Sequence, residues 1–228
     1  MLRRRTVVGF LIVAGQSLMF GQTSAHRPEF PREGKSVLKL TPVNPADSLE
    51  QLVIGSELII EGTVSSTQQP ISRSVSTRRV IVETHAIVSV NSVLKGSLPK
   101  QANSVLVAQI GGRTEESETE VERDALLEAG SRYILFLQGD DSRAEVVNNT
   151  GLKRFGVVGI WSGKVMILDG KVRFLPNVSK ALAAYNGWDV FSFSQRVKDI
   201  VAGKYVPPSG LSVSPLPPHP GPPAARRQ

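Results

Sequence analysis

A long run of alternating β-branched residues, RVIVETHAIVSVNSVLKG from Arg79 to Gly96, constrains the fold more than any other stretch. Successive side chains of a strand point to opposite faces, so this run has one apolar and one mixed face. The apolar face carries Val80, Val82, Thr84, Ala86, Val88 and Val90. The mixed face carries Ile81, Glu83, His85, Ile87, Ser89 and Asn91. The pattern predicts a central antiparallel strand that packs on a core and meets solvent on its back.

Shorter patterns predict further strands on both sides of this one. Residues 57–65 alternate in the same way and contain Gly62, which permits a bulge or sharp bend. Residues 104–110 form the next predicted strand, and Gly111-Gly112 ends it. The run YILFL, Tyr133 to Leu137, lacks alternation and predicts a strand buried on both faces.

Three later segments predict a β-meander over residues 156–161, 164–168 and 171–175. Ser162-Gly163 and Asp169-Gly170 separate them and suit tight two-residue hairpin turns. Residues 67–77 are predicted to be a polar loop. The acidic stretch 113–124 is interpreted as a solvated loop or exposed hairpin, with a carboxylate cation site as the alternative.

Helical spacing occurs at both ends of the predicted domain. Ser48 starts a short helix in which Leu49, Leu52 and Val53 recur on one side. Near the C-terminus Asn177 is predicted to cap the segment VSKALAAY. Ser192 with Gln195 predicts a capping box for FSQRVKDIVAG. The predicted buried stripe of this second helix is Phe193, Val197, Ile200 and Val201.

The first 25 residues have the three parts of an export signal: Arg3 to Arg5, an apolar run, and small residues before a cleavage site. We expect cleavage between Ala25 and His26, and a secreted or periplasmic protein. An uncleaved anchor is the alternative, and is the only membrane contact predicted. The predicted organisation is an extended lead-in (26–45), one domain (46–206) and a disordered proline-rich tail (207–228).

Composition excludes several classes of protein. The chain has no cysteine, which rules out a disulfide scaffold and thiolate metal sites. Removing Arg3, Arg4 and Arg5 with the leader lowers the formal charge from +7 to +4. The remaining basic residues are scattered and not interleaved with aromatic ones, so no nucleic-acid partner is predicted.

Three segments carry a resemblance to a known fold. SELIIEGTV (Ser56 to Val64), VLKG (Val93 to Gly96) and AGSRYILFL (Ala129 to Leu137) together resemble the strand framework of netrin-like modules and tissue inhibitors of metalloproteinases. The same frame resembles exported bacterial proteins. The resemblance implies an OB-like antiparallel barrel of five to eight strands, with a short N-terminal helix and two C-terminal helices. The inhibitors act through an amino-terminal cysteine, which this chain lacks, so their inhibitory residues do not carry over.

Candidate binding residues lie on the mixed face: Glu61, Thr63, Glu83 and His85. An acid–base pair of His85 with Glu83 is conceivable, but a solvated strand face is the favoured interpretation. His26, once it is the first residue, could chelate a metal; a disordered terminus is favoured, and no metal or cofactor is predicted. Nucleophile elbow, glycine-rich phosphate loop and His-Glu-x-x-His motifs are all missing, so no enzyme is predicted.

The sequence therefore predicts a monomeric, non-catalytic binding module for a protein or a cell-envelope polymer. The alternatives are an interaction protein that acts through its proline-rich tail and a hydrolase whose site is not recognisable.

Overall fold

The fold is described for residues 36–40, 46–76, 79–98, 101–140, 150–176 and 178–204 of a computed structural model. The predicted signal peptide, its cleavage site between Ala25 and His26, and the proline-rich tail lie outside these residues. So does most of the lead-in. In the described ranges no helix is long and apolar enough to cross a membrane.

Strands dominate the described residues, which confirms the predicted mainly-β class, and the short N-terminal helix and two C-terminal helices are also confirmed. The strands are β1 (Ser36–Leu40), β2 (Leu58–Thr67), β3 (Ile71–Ser76), β4 (Arg79–Lys95), β5 (Ser104–Ile110), β6 (Gly112–Arg113), β7 (Ser117–Val121), β8 (Arg132–Gly139), β9 (Arg154–Val157), β10 (Lys164–Leu168) and β11 (Lys171–Phe174). The helices are α1 (Leu49–Gly55), α2 (Lys180–Ala183) and α3 (Val190–Val201).

Five strands close into a ring through their hydrogen bonds. The order is β2, β4, β5, β9 and β8, and β8 pairs again with β2. All pairs in the ring are antiparallel except β5 with β9, which is parallel. The prediction of a wholly antiparallel sheet is wrong at this pair, because the chain reaches β9 from β8 and runs beside β5 in the same direction.

The predicted doubly buried strand is β8. Tyr133 to Leu137 are all buried, as the missing alternation indicated. One edge of β8 pairs with β2, while the other edge pairs first with β10 and then with β9. The backbone of Tyr133 to Leu137 is therefore bonded on both sides, which suits a segment whose side chains are all buried.

Two apolar cores lie on opposite faces of β2 and β8. One is built from the five ring strands together with Leu127, and includes Tyr133, Leu135 and Leu137. The other receives Ile134 and Phe136 and is formed with α1, α2, α3, β10 and β11. Alternate residues of one strand thus enter different cores, which explains why no polar residue interrupts YILFL.

The helices begin where capping side chains satisfy free backbone N–H groups. Ser48 caps α1 by accepting from Gln51 N at 3.2 Å, and the predicted Leu49, Leu52 and Val53 are buried. Asp189 caps α3, so the predicted Ser192–Gln195 capping box is wrong. Asp189 lies just before the first turn, where its carboxylate accepts from the free N–H groups of Phe191 and Ser192.

The other predictions for the C-terminal helices are partly confirmed. Phe193 and Val197 are fully buried and Ile200 packs against the same core, but Val201 is exposed. The cap of α2 is Ser179, whose hydroxyl accepts from Leu182 N at 3.2 Å. The predicted cap, Asn177, lies outside the described residues.

Strand pairing corrects one predicted loop and decides between the two predicted forms of the acidic stretch. Part of the supposed loop 67–77 is strand β3, which pairs antiparallel with the start of β4. The acidic stretch does form a hairpin, β6 with β7, and β7 also pairs with β1 from the lead-in. Ser and Gln are common in loops, but here a neighbouring strand edge supplies the hydrogen bonds that hold the segment extended.

The predicted meander is half correct. β10 and β11 form a hairpin through Asp169 and Gly170, which have φ values of 51° and 72°, as a tight turn of this type requires. Ser162-Gly163 is not a hairpin turn, because β9 pairs with β5 and β8 rather than with β10. The positive φ values in this loop belong instead to Gly159 and Ile160.

Gly62 lies at the predicted irregularity of β2, where the register to β4 shifts between Glu61 and Gly62. A Cβ at this position would lie 2.6 Å from Val88 Cγ1 and 2.8 Å from Ser89 O. The strands approach so closely here that only glycine fits.

We expect Gly62→Ala to lower the free energy of unfolding by about 1–3 kcal/mol, since the added methyl group must push β4 away. Gly156→Ala is the matched control, because a Cβ on this β9 glycine meets nothing within 4 Å. Urea unfolding of both variants measures the difference. Equal stability of the two variants would show that the close approach does not matter.

Candidate functional site

The mixed face of β4 is divided into an exposed half and a buried half. Ser89 and Asn91 are exposed, whereas Glu83 and His85 are buried. β2 pairs with the exposed half, where Thr63 lies opposite Ser89. β3 and β5 flank the buried half, where Ile71 and Ile110 lie opposite Glu83. The structure therefore does not bring the four predicted binding residues together.

The exposed half forms a polar ladder across three adjacent strands. We use this name for six residues of β2, β4 and β8: Glu61, Thr63, Ser65, Ser89, Asn91 and Arg132. Thr63 Oγ1 donates to Asn91 Oδ1 at 3.1 Å, and the hydroxyls of Ser65 and Ser89 are 2.6 Å apart. Arg132 Nη2 donates to Glu61 Oε1 at 2.6 Å.

These contacts pair the ladder side chains with one another and leave four of them exposed, while Glu61 and Thr63 are partly exposed. Exposed ion pairs and hydroxyl contacts of this kind contribute little to folding. Each hydroxyl and amide retains further donor or acceptor capacity, because a hydroxyl has two acceptor lone pairs and an amide has two N–H donors. The ladder is thus a preformed set of polar groups that a hydroxyl-rich ligand can bridge.

The buried half forms a charge cluster, by which we mean Arg73, Glu83, His85, Asp140 and Arg154. Glu83 is at its centre with a side chain only 1% exposed. Its Oε1 accepts from His85 Nε2 at 2.5 Å and from Arg154 Nη2. Its Oε2 lies 3.7 Å from Arg73 Nη2, and Arg154 Nη2 also lies 3.4 Å from Asp140 Oδ2.

The prediction that Glu83 and His85 lie on a solvated face is wrong. Their position on the mixed face is as predicted, but Arg73 of β3 and Arg154 of β9 lie against Glu83 and the loop residue Gln68 lies against His85. Nothing in the local pattern of β4 indicates these partners. Arg73 and Arg154 lie 10 residues before and 71 residues after Glu83, and Gln68 lies 17 residues before His85.

The electrostatics of the charge cluster favour the ionised form of Glu83. Burial alone would raise the pKa of Glu83, but the hydrogen bond from His85 and the charges of Arg154 and Arg73 outweigh it and hold the pKa below its usual range. His85 is held on both sides, since its Nδ1 lies 3.3 Å from Gln68 Oε1. Both ring nitrogens are therefore occupied, and the cluster connects β3, β4 and β9 rather than offering a free base.

A second buried ion pair lies at one end of the ring interior and was not predicted. Lys164 Nζ contacts Asp124 Oδ1, donates to Ala125 O at 2.6 Å and lies 3.3 Å from Gln109 Oε1. The two charged side chains are 1% and 4% exposed. Asp124 belongs to the acidic stretch, whose interpretation as solvated fails at three buried side chains: Thr119, Val121 and Asp124. The turn after β7 directs Asp124 inward.

Burial dominates both groups of this pair. It raises the pKa of Asp124, and attraction to Lys164 offsets this only in part. It lowers the pKa of Lys164, again with partial compensation from Asp124. Asp124 also borders a cavity of about 250 Å³ that is lined by Gly111, Thr119 and Leu126 among others. Neither the Asp124 carboxylate nor the Lys164 ammonium is exposed enough to bind a ligand as a charged group.

Metal binding has no support among the residues that the structure describes. No group of three or more His, Cys, Asp or Glu residues in those ranges is placed to hold an ion. The suggested chelating residue His26 lies outside them, as does His219. The cation alternative for the acidic stretch stays without a set of ligands there.

We expect Glu83→Gln to lower the free energy of unfolding at neutral pH by about 3 kcal/mol, because it removes the anion that Arg154, Arg73 and His85 share. A lowered folded-state pKa stabilises the protein above the ordinary glutamate pKa and loses this contribution as the pH falls through the lower value. The difference between wild type and variant should therefore shrink below about pH 4.3, the ordinary glutamate value.

Urea unfolding at a series of pH values measures this effect. Glu120→Gln is the control, since it removes a carboxylate whose side chain is 62% exposed. It should change stability by less than about 0.5 kcal/mol. A difference for Glu83→Gln that stayed constant from neutral to acid pH would contradict the assigned role of the carboxylate.

We expect Asp124→Asn to cost about 3–5 kcal/mol, because it leaves the Lys164 ammonium buried without its partner. The double variant Lys164→Met/Asp124→Leu removes both desolvated charges, and its free energy of unfolding should equal or exceed that of wild type. Denaturant unfolding at neutral pH compares the three proteins. Equal losses in the single and double variants would show that the ion pair itself stabilises the fold.

No protein-family model matches the chain, and no curated protein has a significantly similar sequence. These comparisons assign no family. The function must therefore be inferred from the ring of strands, the polar ladder and the charge cluster.

Proposed function

We propose that this protein is an exported, monomeric, non-catalytic binding module with an OB-like barrel, and that it binds a hydroxyl-rich polymer of the cell envelope through the polar ladder. The observation that carries the proposal is the ladder itself: six polar side chains from three neighbouring strands lie exposed or partly exposed on one strand face. Export is proposed from the leader of 25 residues, which the sequence alone supports.

The order of the ring supports the OB-like part of the proposal. OB-folds are five-stranded Greek-key barrels, and here five strands close into a ring through two non-sequential pairs, β5 with β9 and β8 with β2. This arrangement also agrees with the resemblance to netrin-like modules in the segments around Glu61, Gly96 and Tyr133. The likeness to metalloproteinase inhibitors extends to the strand frame only, since the chain has no cysteine.

The location of the ladder supports binding at β2, β4 and β8. OB-folds bind ligands on the face of their second and third strands, which correspond to β4 and β5 in this ring. The outer face of β4 and β5 is occupied at Glu83 and His85 by the chain's own charge cluster. The outer face of β4 that remains accessible is the half bearing Ser89 and Asn91, next to Thr63.

The chemistry of the ladder favours a polar and uncharged ligand. Its single cation, Arg132, is already paired with its single anion, Glu61. The remaining groups are hydroxyls and one amide, which match sugar hydroxyls and acetamido groups. The proposal is non-catalytic because none of these groups is a base placed beside a nucleophile, and His85 has both ring nitrogens occupied.

A pelleting assay tests this function. The protein expressed from its full-length sequence is mixed with insoluble peptidoglycan, chitin or cellulose, and the bound fraction is measured after centrifugation. We expect saturable binding to one of the three. Thr63→Ala/Asn91→Ala should weaken that binding about thirty-fold, since two lost hydrogen bonds at about 1 kcal/mol each cost about 2 kcal/mol.

The matched control is Ser72→Ala/Ser74→Ala, which removes two exposed hydroxyls from β3. It should bind as wild type does. Binding that is equally strong in the ladder variant would move the site elsewhere, and absence of binding to all three polymers would overturn the polymer proposal. A crosslinked pull-down from the native exported fraction then tests for a protein ligand instead.

A further inference from the structure

We propose that an aromatic surface at the start of α3 is the docking site for the chain's own proline-rich tail. The surface consists of Tyr185, Trp188 and Phe191. Phe191 is 75% exposed and Trp188 is 38% exposed, although both are large apolar side chains in an ordered turn and helix. Adjacent exposed aromatic residues are unusual on a protein surface and mark an interaction site.

The surface is rigid. Tyr185 and Trp188 pack edge to face with their ring centroids 4.9 Å apart, and Tyr185 packs in the same way on the buried Phe193 at 5.5 Å. The backbone is held as well, because Val172 N donates to Trp188 O at 2.9 Å. Asp189 caps the helix by accepting from Phe191 N at 2.9 Å. Little conformational entropy is therefore lost when a ligand covers these rings.

Such a surface fits a polyproline segment. Proline-rich peptides bind shallow grooves lined by aromatic side chains, because their extended helix is preformed and presents flat pyrrolidine rings. The chain ends with PLPPHPGPP, from Pro215 to Pro223. This stretch repeats the Pro-x-x-Pro spacing that such grooves recognise.

The tail is long enough to reach the surface. Helix α3 carries the chain away from Phe191 to Val201, a distance of about 15 Å at 1.5 Å per residue. Residues 205–214 precede the proline stretch, and ten residues of polyproline helix span about 31 Å. The prolines can therefore return over Trp188 and Phe191, at an effective concentration of order mM that favours an intramolecular contact.

Charge complementarity also supports docking of the tail at the start of α3. Arg226 and Arg227 follow the prolines, and Asp169 and Asp189 lie at the same end of α3, where Val190 N donates to Gly170 O at 3.0 Å. The nearby Lys171 Nζ already donates to Gly187 O at 3.2 Å. The acidic side chains are thus placed to attract the basic end of the tail.

Acrylamide quenching of Trp188 fluorescence tests the proposal. Trp161 and Trp188 are the two tryptophans of the chain, and Trp161 is 7% exposed, so Trp161→Phe isolates the signal of Trp188. In this background the six prolines of the stretch are replaced by serine: Pro215, Pro217, Pro218, Pro220, Pro222 and Pro223. We expect the quenching constant to rise about two-fold when the tail no longer covers the ring.

Three comparisons make the result specific. Pro207→Ser/Pro208→Ser, in the stem of the tail, should leave quenching unchanged. Phe191→Ala should raise quenching with the wild-type tail and have no further effect with the serine tail, because both changes break one contact. A synthetic peptide of residues 211–227 should restore protection to the serine-tail protein.

Equal quenching with the two tails would overturn the proposal. Protection that appears only as the protein concentration rises would also overturn it, because the tail of a second copy would then be the occupant. If Trp161→Phe does not fold, the same tail variants are compared with both tryptophans present, since buried Trp161 contributes equally to each.

Discussion

The fold depends on one strand, β8, whose central residues Tyr133 to Leu137 are all buried. Its side chains alternate between two cores, and its two edges pair with β2 on one side and with β10 and β9 on the other. If β8 were displaced, the ring would open and the helices would lose the surface on which they pack. Burial of five consecutive apolar residues, at about 25 cal/mol per Å² of apolar area, is the main force that holds this arrangement.

Closing a ring of short strands leaves polar groups at its ends and on its outer face. In this protein, buried ion pairs between side chains lie at these places. Glu83 has three cationic or hydrogen-bonding neighbours, while Lys164 has Asp124 and two carbonyl-type oxygens. Buried ion pairs of this kind are costly to desolvate, so they specify which elements meet rather than adding much stability. The pKa shifts of Glu83 and Lys164 show the difference: compensation outweighs burial for Glu83 and falls short of it for Lys164.

The pairing of charged groups on the outer face of the ring also explains where binding is proposed. The outer face of β4 near β5 is filled by the charge cluster, so its accessible part is the polar ladder beside β2. On the helical side, the apolar residues that do not fit the second core, Trp188 and Phe191, remain at the surface. The two proposed contacts therefore use surfaces of opposite character, one polar for an external polymer and one aromatic for the chain's own tail.

Much of the architecture follows from the sequence, because local periodicity reports which side of an element is buried. The alternation of β4, its absence in β8, the helical spacing of Leu49, Leu52 and Val53, and the Asp169-Gly170 turn all predicted elements that the structure contains. The mistaken turn at Ser162-Gly163 and the missed strand β3 have one cause. Both depend on which strand lies alongside, and periodicity carries no information about neighbours.

For the candidate site, the sequence predicted only which residues share one face of β4. Alternation correctly placed Glu83, His85, Ser89 and Asn91 on one side of β4, and residues far along the chain then decided which half stays accessible. By itself the sequence determined the elements and the sidedness of each, since these depend on side chains a few residues apart. The tertiary structure alone decided that Arg154 and Arg73 meet Glu83 and that Lys164 meets Asp124, because an ion pair forms between groups that only the closed ring brings within a few ångströms.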